Sequence, residues 1–355
     1  VSANPNRASR AADLSSLDDL IAAGFVDQHE QQDLEPVTAR YPVALTAEMA
    51  AQIDPADPND PIARQFIPSR QELTRDAIEN DDPIGDHAHS PVKGLVHRHP
   101  DRVLLKPLHV CPVYCRFCFR RESVGPQGDG SLSERELGAA LAYVAAHPQI
   151  SEIIVTGGDP FMLSPRRIAG LAKAADGLAH VKVLRWHTRV PLVDPDRVNA
   201  ALIEAAQTFG RALYVAVHGN HPREFTPSGR GALARLADAG IPLLSQTVLL
   251  KGINDDADVM ADLMRAFVEN RVKPYYLHHG DLAPGTARFR TTIAEGQALM
   301  RLLRQRLSGL AMPTYVIDLP GGHGKVPVGP KYLEDGVVID PQGGRHTYPP
   351  TAPAG

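Results

Sequence analysis

The residues with the clearest chemistry lie in one stretch, His109-Val-Cys-Pro-Val-Tyr-Cys-Arg-Phe-Cys-Phe-Arg-Arg-Glu122, which holds all three cysteines of the chain. Cys111, Cys115 and Cys118 are spaced C-x3-C-x2-C. Three thiolates on one loop form a soft-ligand site for an iron–sulfur cluster, zinc or copper(I). A four-iron cubane held here has three irons capped by protein and the fourth open, because the chain has no fourth cysteine. An open iron suits a cluster that binds a ligand rather than one that only passes electrons. His109 could complete a four-ligand zinc site, but x3 then x2 spacing is unusual for zinc. A disulfide would leave one thiol unpaired.

Two other stretches carry candidate chemistry. Gly157-Gly158-Asp159-Pro160 lets backbone approach a ligand without a Cβ in the way, although a tight turn after a strand uses the same glycines. Lys325 ends Pro320-Gly-Gly-His-Gly-Lys325. It is either a solvated lysine or an amine presented to an aldehyde cofactor, as in the Schiff base of pyridoxal 5′-phosphate (PLP). A phosphate-binding P-loop is excluded, since Leu319 and Val326 occupy positions where that loop needs Gly and Ser/Thr. Gly229-Arg-Gly-Ala-Leu-Ala234 has the letters of a dinucleotide fingerprint but follows Phe225-Thr-Pro-Ser228 instead of a strand. His278 and His279 point to opposite faces of a strand, so at most one of them faces a pocket.

The elements that position these residues follow from the hydrophobic pattern. Residues 1 to about 95 read as a helical, loop-rich extension with short helices at 14–23, 47–53 and 71–80, broken by Asp/Pro-rich turns. From residue 102, short β-branched runs alternate with amphipathic helices. Strands at 103–108, 152–156, 181–186, 212–217, 243–250 and 273–278 are each followed by a helix, at 134–146, 165–175, 195–208, 231–239, 257–269 and 293–307. Six such units predict parallel strands joined by right-handed crossovers, in an open partial barrel rather than a closed eightfold one. Chemistry then belongs at the C-terminal strand ends, and the cysteine loop follows the first strand. A further strand at 313–317 leads into the Lys325 loop, with one more at 336–339.

Composition narrows the class. The 355 residues are 43% apolar with a net charge of −4, and no long basic run points to nucleic acid. No stretch approaches the roughly 18 apolar residues of a membrane span, and clustered thiols fit a reducing compartment. The expectation is a soluble cytoplasmic protein without nucleic-acid or membrane partners.

The three-cysteine spacing together with Gly157-Gly158-Asp159-Pro160 resembles the radical S-adenosylmethionine (SAM) enzymes. Over residues 55–349 the chain resembles one family among them, the PLP-dependent lysine 2,3-aminomutases. The matching residues are His97-Arg98-His99-Pro100-Asp101-Arg102-Val103, the cysteine loop with Arg120-Arg121, Thr156-Gly-Gly-Asp-Pro160, His218-Gly-Asn-His-Pro-Arg-Glu-Phe-Thr226 and the Lys325 loop. The fold class this implies is α/β: a partial (βα)6 radical SAM barrel (96–310), an N-terminal helical extension (1–95) and a C-terminal segment carrying the PLP lysine (311–355).

The resemblance also implies roles. Cys111, Cys115 and Cys118 hold a [4Fe-4S] cluster that binds SAM, and the backbone of Gly157, Gly158 and Asp159 contacts SAM. Catalytic Lys325 binds PLP, with Arg98 and Arg102 near its phosphate, where planar guanidinium forks suit phosphate oxygens. Arg120 grips the substrate carboxylate, and Asp281 and Asp318 bind the distal ammonium of lysine. The implied reaction moves the α-amino group of lysine to C3 through a SAM-derived radical, with a flavodoxin or ferredoxin as reductant and a homodimer as the assembly. His99 stands where the family commonly has Tyr, and His323 where glycine is usual. No cysteine follows Cys118, unlike the longer members with zinc-binding cysteines, so the chain resembles the short branch that includes the supplier of β-lysine for elongation factor P. Ornithine or arginine as substrate, a radical SAM enzyme without PLP, and a non-catalytic iron–sulfur protein are the alternatives.

Overall fold

Between residues 95 and 327 the strand-forming runs build one nine-stranded sheet whose spatial order follows the sequence from edge to edge. The computed structural model describes residues 13–125 and 130–349; positions 1–12 and 350–355, the outer ends of the first and last expected regions, lie outside them. Four short helices come first: α1 (Leu17–Ala22), α2 (Gln31–Arg40), α3 (Ala47–Ala50) and α4 (Ala63–Phe66). Their Leu20, Val37, Met49 and Phe66 join the same cluster of buried side chains as barrel residues Val155, Trp186 and Leu277. Truncating the fully buried Phe66 to Ala therefore costs about 3–5 kcal/mol.

β1 (Leu95–His99) and β2 (Arg102–Leu108) form an antiparallel hairpin. From β2 the ladder is parallel through β3 (Glu152–Gly157), β4 (Val183–Thr188), β5 (Ala212–His218), β6 (Leu243–Val248), β7 (Val272–His278) and β8 (Thr314–Leu319). β9 (Gly324–Pro327) folds back antiparallel on β8. The central strands are buried along nearly their whole length, as expected where helices cover a parallel sheet that curls into a nearly closed barrel. A small three-stranded sheet, β10 (Leu333–Glu334), β11 (Val337–Ile339) and β12 (Arg345–Thr347), follows.

The crossover helices start where polar caps demand it. Ser133 caps α5 (Glu134–Ala145) with Glu136 completing a capping box, and Ser164 with Pro165 opens α6 (Pro165–Asp176). After the short α7 (Val190–Val193), extended Asn199 caps α8 (Ala200–Gln207) and so divides the single helix expected at 195–208. Thr226 caps α9 (Pro227–Asp238), Asp256 caps α10 (Ala257–Glu269) and Thr292 caps α11 (Ile293–Arg306). The helix expected at 71–80 is a 3-10 turn, Arg70–Leu73, ended by Thr74 in extended backbone. Among the described residues no helix is long and apolar enough to cross a membrane.

Candidate active site

The cysteine loop leaves β2 and is fastened to the turn after β3. Gly158 N–H donates to Leu108 O (2.7 Å) and Asp159 N–H to Val110 O (2.9 Å). A Cβ on Gly158 would lie 2.4 Å from Val110 O, and Gly157, at φ +106°, has Leu108 O 2.5 Å from where its Cβ would be. The glycines thus first serve a backbone-to-backbone contact within the protein. The Asp159 carboxylate accepts from Thr188 Oγ1 (2.7 Å), Phe161 N (3.0 Å), Arg189 N (2.6 Å) and Val190 N (3.2 Å). The Asp159 side chain thus ties β3 to the end of β4.

Burial raises the pKa of all three thiols, Cys118 to about 11, and each is raised further by the charge of its neighbouring cysteines or acids. Arg189 Nη1 donates to Cys115 Sγ (2.9 Å), and the charges of Arg120 and Arg121 act on Cys118. Among the described residues no group of three His, Cys, Asp or Glu closes around a single ion. Three interacting soft ligands beside cationic arginines fit an iron–sulfur cluster.

Two buried carboxylates fasten this loop, and the sequence reading missed both. Glu72 sits beneath it: Arg116 Nη2 is 2.5 Å and Arg116 Nε 3.0 Å from Oε2, Arg121 bonds the same oxygen, and Arg288 Nη2 reaches Oε1 at 3.3 Å. Burial works against the Glu72 charge, yet these arginines hold its pKa below the usual value. Glu224, fully buried, accepts from Arg189 Nη2 (2.7 Å) and from the N–H groups of Asn220 and His221 (2.9 and 3.0 Å). Arg189 also donates to Gln65 Oε1 at 2.7 Å. Burial opposes the Arg189 charge, but Cys115 and Glu224 outweigh it and raise its pKa.

Across the barrel mouth lies the amine end of the site. Asp318 on β8 and Lys325 on β9 are directly opposed in the ladder and form an ion pair. Arg98 Nη1 lies 3.7 Å from Asp318 Oδ1, an oxygen without a hydrogen-bond partner. Asp281 feels Asp318, Lys325, Arg120 and Arg98; burial and then the Asp318 charge push its pKa up to about 7. Gly321, Gly322 and Gly324 all have positive φ, and a Cβ on Gly322 would meet His89 Cε1 at 2.4 Å. That tight coil positions Lys325 at the start of β9.

Arg120 Nη2 approaches Asp86 Oδ2 at 3.3 Å, while its buried Nε has no partner among the described residues. Asp86 also faces Lys106 (3.5 Å) and Arg98 (3.7 Å). Arg102 pairs with Asp101 at 2.8 Å on the more exposed side of β2. Burial lowers the pKa of His99, and the charges of Arg102, Arg98 and Lys325 lower it further. Cations gathered around a neutral imidazole fit an anionic group such as a cofactor phosphate.

Three histidines line the same end of β4, β5 and β7: His187, which the sequence reading did not single out, His218, which heads a quoted motif, and His278, one of the pair of which at most one was expected to face a pocket. Burial, and then nearby cations or histidines, lower their pKa values, that of His218 to about 3, so they are neutral imidazoles. His279 turns to the opposite face, with Nδ1 2.8 Å from Tyr315 Oη.

A parallel α/β barrel with a three-thiol loop after its first parallel strand defines a radical SAM enzyme, and residues 105–264 match the radical SAM superfamily. Residues 300–339 match a second family, lysine-2,3-aminomutase. The L-lysine 2,3-aminomutase of Acetoanaerobium sticklandii is 40% identical over 291 residues, covering 82% of this chain and 70% of its own. That of Clostridium subterminale is 37% identical over 86% of this chain and 73% of its own. A glutamate 2,3-aminomutase of Clostridioides difficile is 33% identical over 91% of this chain and 75% of its own. The chain belongs to the lysine 2,3-aminomutase family of radical SAM isomerases, whose chemistry calls for a [4Fe-4S] cluster and SAM.

Proposed function

We propose that this protein is a 2,3-aminomutase acting on L-lysine, moving its α-amino group to C3 to give β-lysine. The observation that carries the reading is the meeting of Lys325 and Arg120 with two carboxylates, Asp281 and Asp318, at the C-terminal end of the barrel. Cys111, Cys115 and Cys118 would hold the cluster, backbone at Gly157–Asp159 would face SAM, Lys325 would hold PLP, and Arg98 with Arg102 would face its phosphate. Bound together, these groups supply a radical able to take hydrogen from C3 and a π-system able to carry nitrogen from C2 to C3.

The chain's own residues bind and orient. Arg120 has donor capacity for a carboxylate, since its Nε has no hydrogen-bond partner among the described residues. With Lys325 engaged by PLP, Asp318 keeps only the 3.7 Å approach of Arg98, and the two neighbouring carboxylates lose part of their compensating charge. A substrate ammonium restores the balance, because an unpaired buried charge is costly. The side-chain carboxylate of glutamate would meet repulsion there. Ornithine or arginine presents a cation at another reach, and turnover beside lysine separates them. The same reading carries a flavodoxin- or ferredoxin-class electron donor, a cytoplasmic homodimer, and regions 1–95, 96–310 and 311–355.

An anaerobic absorption spectrum of cluster-reconstituted protein supplied with PLP, before and after borohydride, tests it. Broad iron–sulfur absorption with a pyridoxyl group fixed on Lys325, absent from Lys325→Ala, is the expected result. A cluster without PLP uptake would sink the aminomutase reading and leave radical SAM chemistry standing.

A further inference from the structure

We propose that Arg189 sets the reduction potential of the cluster by donating to the sulfur of Cys115. The inference rests on the reading of the three cysteines as cluster ligands. Arg189 follows β4, is 6% exposed, and places Nη1 2.9 Å from Cys115 Sγ. Nη2 is held by Gln65 and Glu224, each at 2.7 Å. The guanidinium carbon lies 4.8 Å from the ring centre of Phe66 and 5.7 Å from that of Phe117. A cation fixed from three sides between apolar rings acts on the sulfur at low local dielectric, where its effect is strongest.

The three sulfurs are not equivalent. Among the described residues Cys115 is the one cysteine that accepts a hydrogen bond from a charged side chain, while Arg120 and Arg121 act on Cys118 by charge. One electron from a low-potential donor takes a [4Fe-4S] cluster from the 2+ to the 1+ state, with no bond made or broken. The added negative charge falls partly on the ligand sulfurs, so a cation at Cys115 stabilises the reduced state more than the oxidised one. Hydrogen bonds to sulfur and burial are the means by which proteins spread such potentials. Glu224 opposes the effect, because its carboxylate lies on the far side of the same guanidinium and its charge reaches Cys115. Gln65 and Phe66 place part of this device in the N-terminal extension, for which the sequence suggests only helices and loops.

The test is a redox titration of the reconstituted cluster followed by electron paramagnetic resonance, without SAM or substrate, so that turnover plays no part. In Arg189→Met the ratio of reduced to oxidised cluster at a fixed potential is expected to fall at least tenfold, equivalent to ~59 mV for a one-electron couple. Arg189→Lys keeps the charge without the fork and falls less. Glu224→Gln moves the ratio the other way. A residue that merely braced the loop would give no such opposite pair. An unchanged midpoint in Arg189→Met at full cluster occupancy overturns the inference. If that variant takes up no cluster, Arg189→Lys and Glu224→Gln decide, and wild-type midpoints in both overturn it. A wild-type protein that takes up no cluster would instead overturn the ligand reading, and this inference with it.

Discussion

Glu72 and Asp318 are both carboxylates buried among cations, and they differ in what their oxygens have left to do. Glu72 has both oxygens occupied: Arg116 and Arg121 on one, Arg116, Arg288 and the Ser69 N–H on the other. Asp318 has one oxygen on Lys325 and one that, among the described residues, only Arg98 approaches, at 3.7 Å. Asp86 is similarly incomplete, with Oδ1 lacking a hydrogen bond. A saturated carboxylate is a fastener, since any ligand would have to break existing bonds to reach it. Incomplete ones, with cations nearby, can exchange partners. The first group locks the cysteine loop to the extension; the second faces the barrel mouth where a substrate would lie.

Substitutions on each side should break this comparison in different currencies. Lys325→Ala, on the incomplete side, is expected to lose at least ~10⁴-fold in turnover, about 5.5 kcal/mol, with a smaller drop in urea midpoint than Glu72→Ala, because Arg98 stays beside Asp318. Glu72→Ala, on the saturated side, leaves three arginines without their anion and is expected to cost about 3–5 kcal/mol in urea unfolding. Asp281→Asn should lower kcat/KM for lysine roughly ten- to a hundredfold, about 1.5–3 kcal/mol, with little change in stability. The pH response sharpens the point. Asp281 titrates near 7, so its charge is present above that pH and lost below it. KM for lysine should therefore fall as pH rises from 6 to 8, and Asp281→Asn should flatten that slope. Without substrate the sign for folding is opposite: a carboxyl with a raised pKa contributes less stability as pH rises toward 7. Smallest of all, Arg265→Ala removes an exposed pair with Asp262 and should change stability by less than ~1 kcal/mol.

The sequence made the repeating part of the fold legible, because each strand–helix unit carries its own hydrophobic period and polar cap. β1 and β9 escaped it. β9 has four residues, with three exposed, and is a strand only because β8 offers an edge. The cysteines and Lys325 were legible because local spacing carries their chemistry. Glu72, Asp86 and Arg189 were not, since each acquires its meaning from partners far along the chain. Ser69-Arg-Gln-Glu72 does read as a capping box, and one forms. That local pattern gives no hint that the same carboxylate also holds Arg116, Arg121 and Arg288. Gly157 and Gly158 were read either as room for a ligand or as a tight turn, and their letters gave no hint that β2 and the start of the cysteine loop pack against them.

The most direct test of the central claim, that the incomplete carboxylates select a cationic substrate, is product analysis under anaerobic turnover. Reconstituted protein with SAM, PLP and a reductant is given lysine or glutamate in parallel, and the products are separated by mass spectrometry. The account predicts β-lysine from lysine and no β-glutamate from glutamate, with lysine turnover reduced in Asp281→Asn. Conversion of glutamate in place of lysine, or an Asp281→Asn protein as active on lysine as wild type, would contradict it.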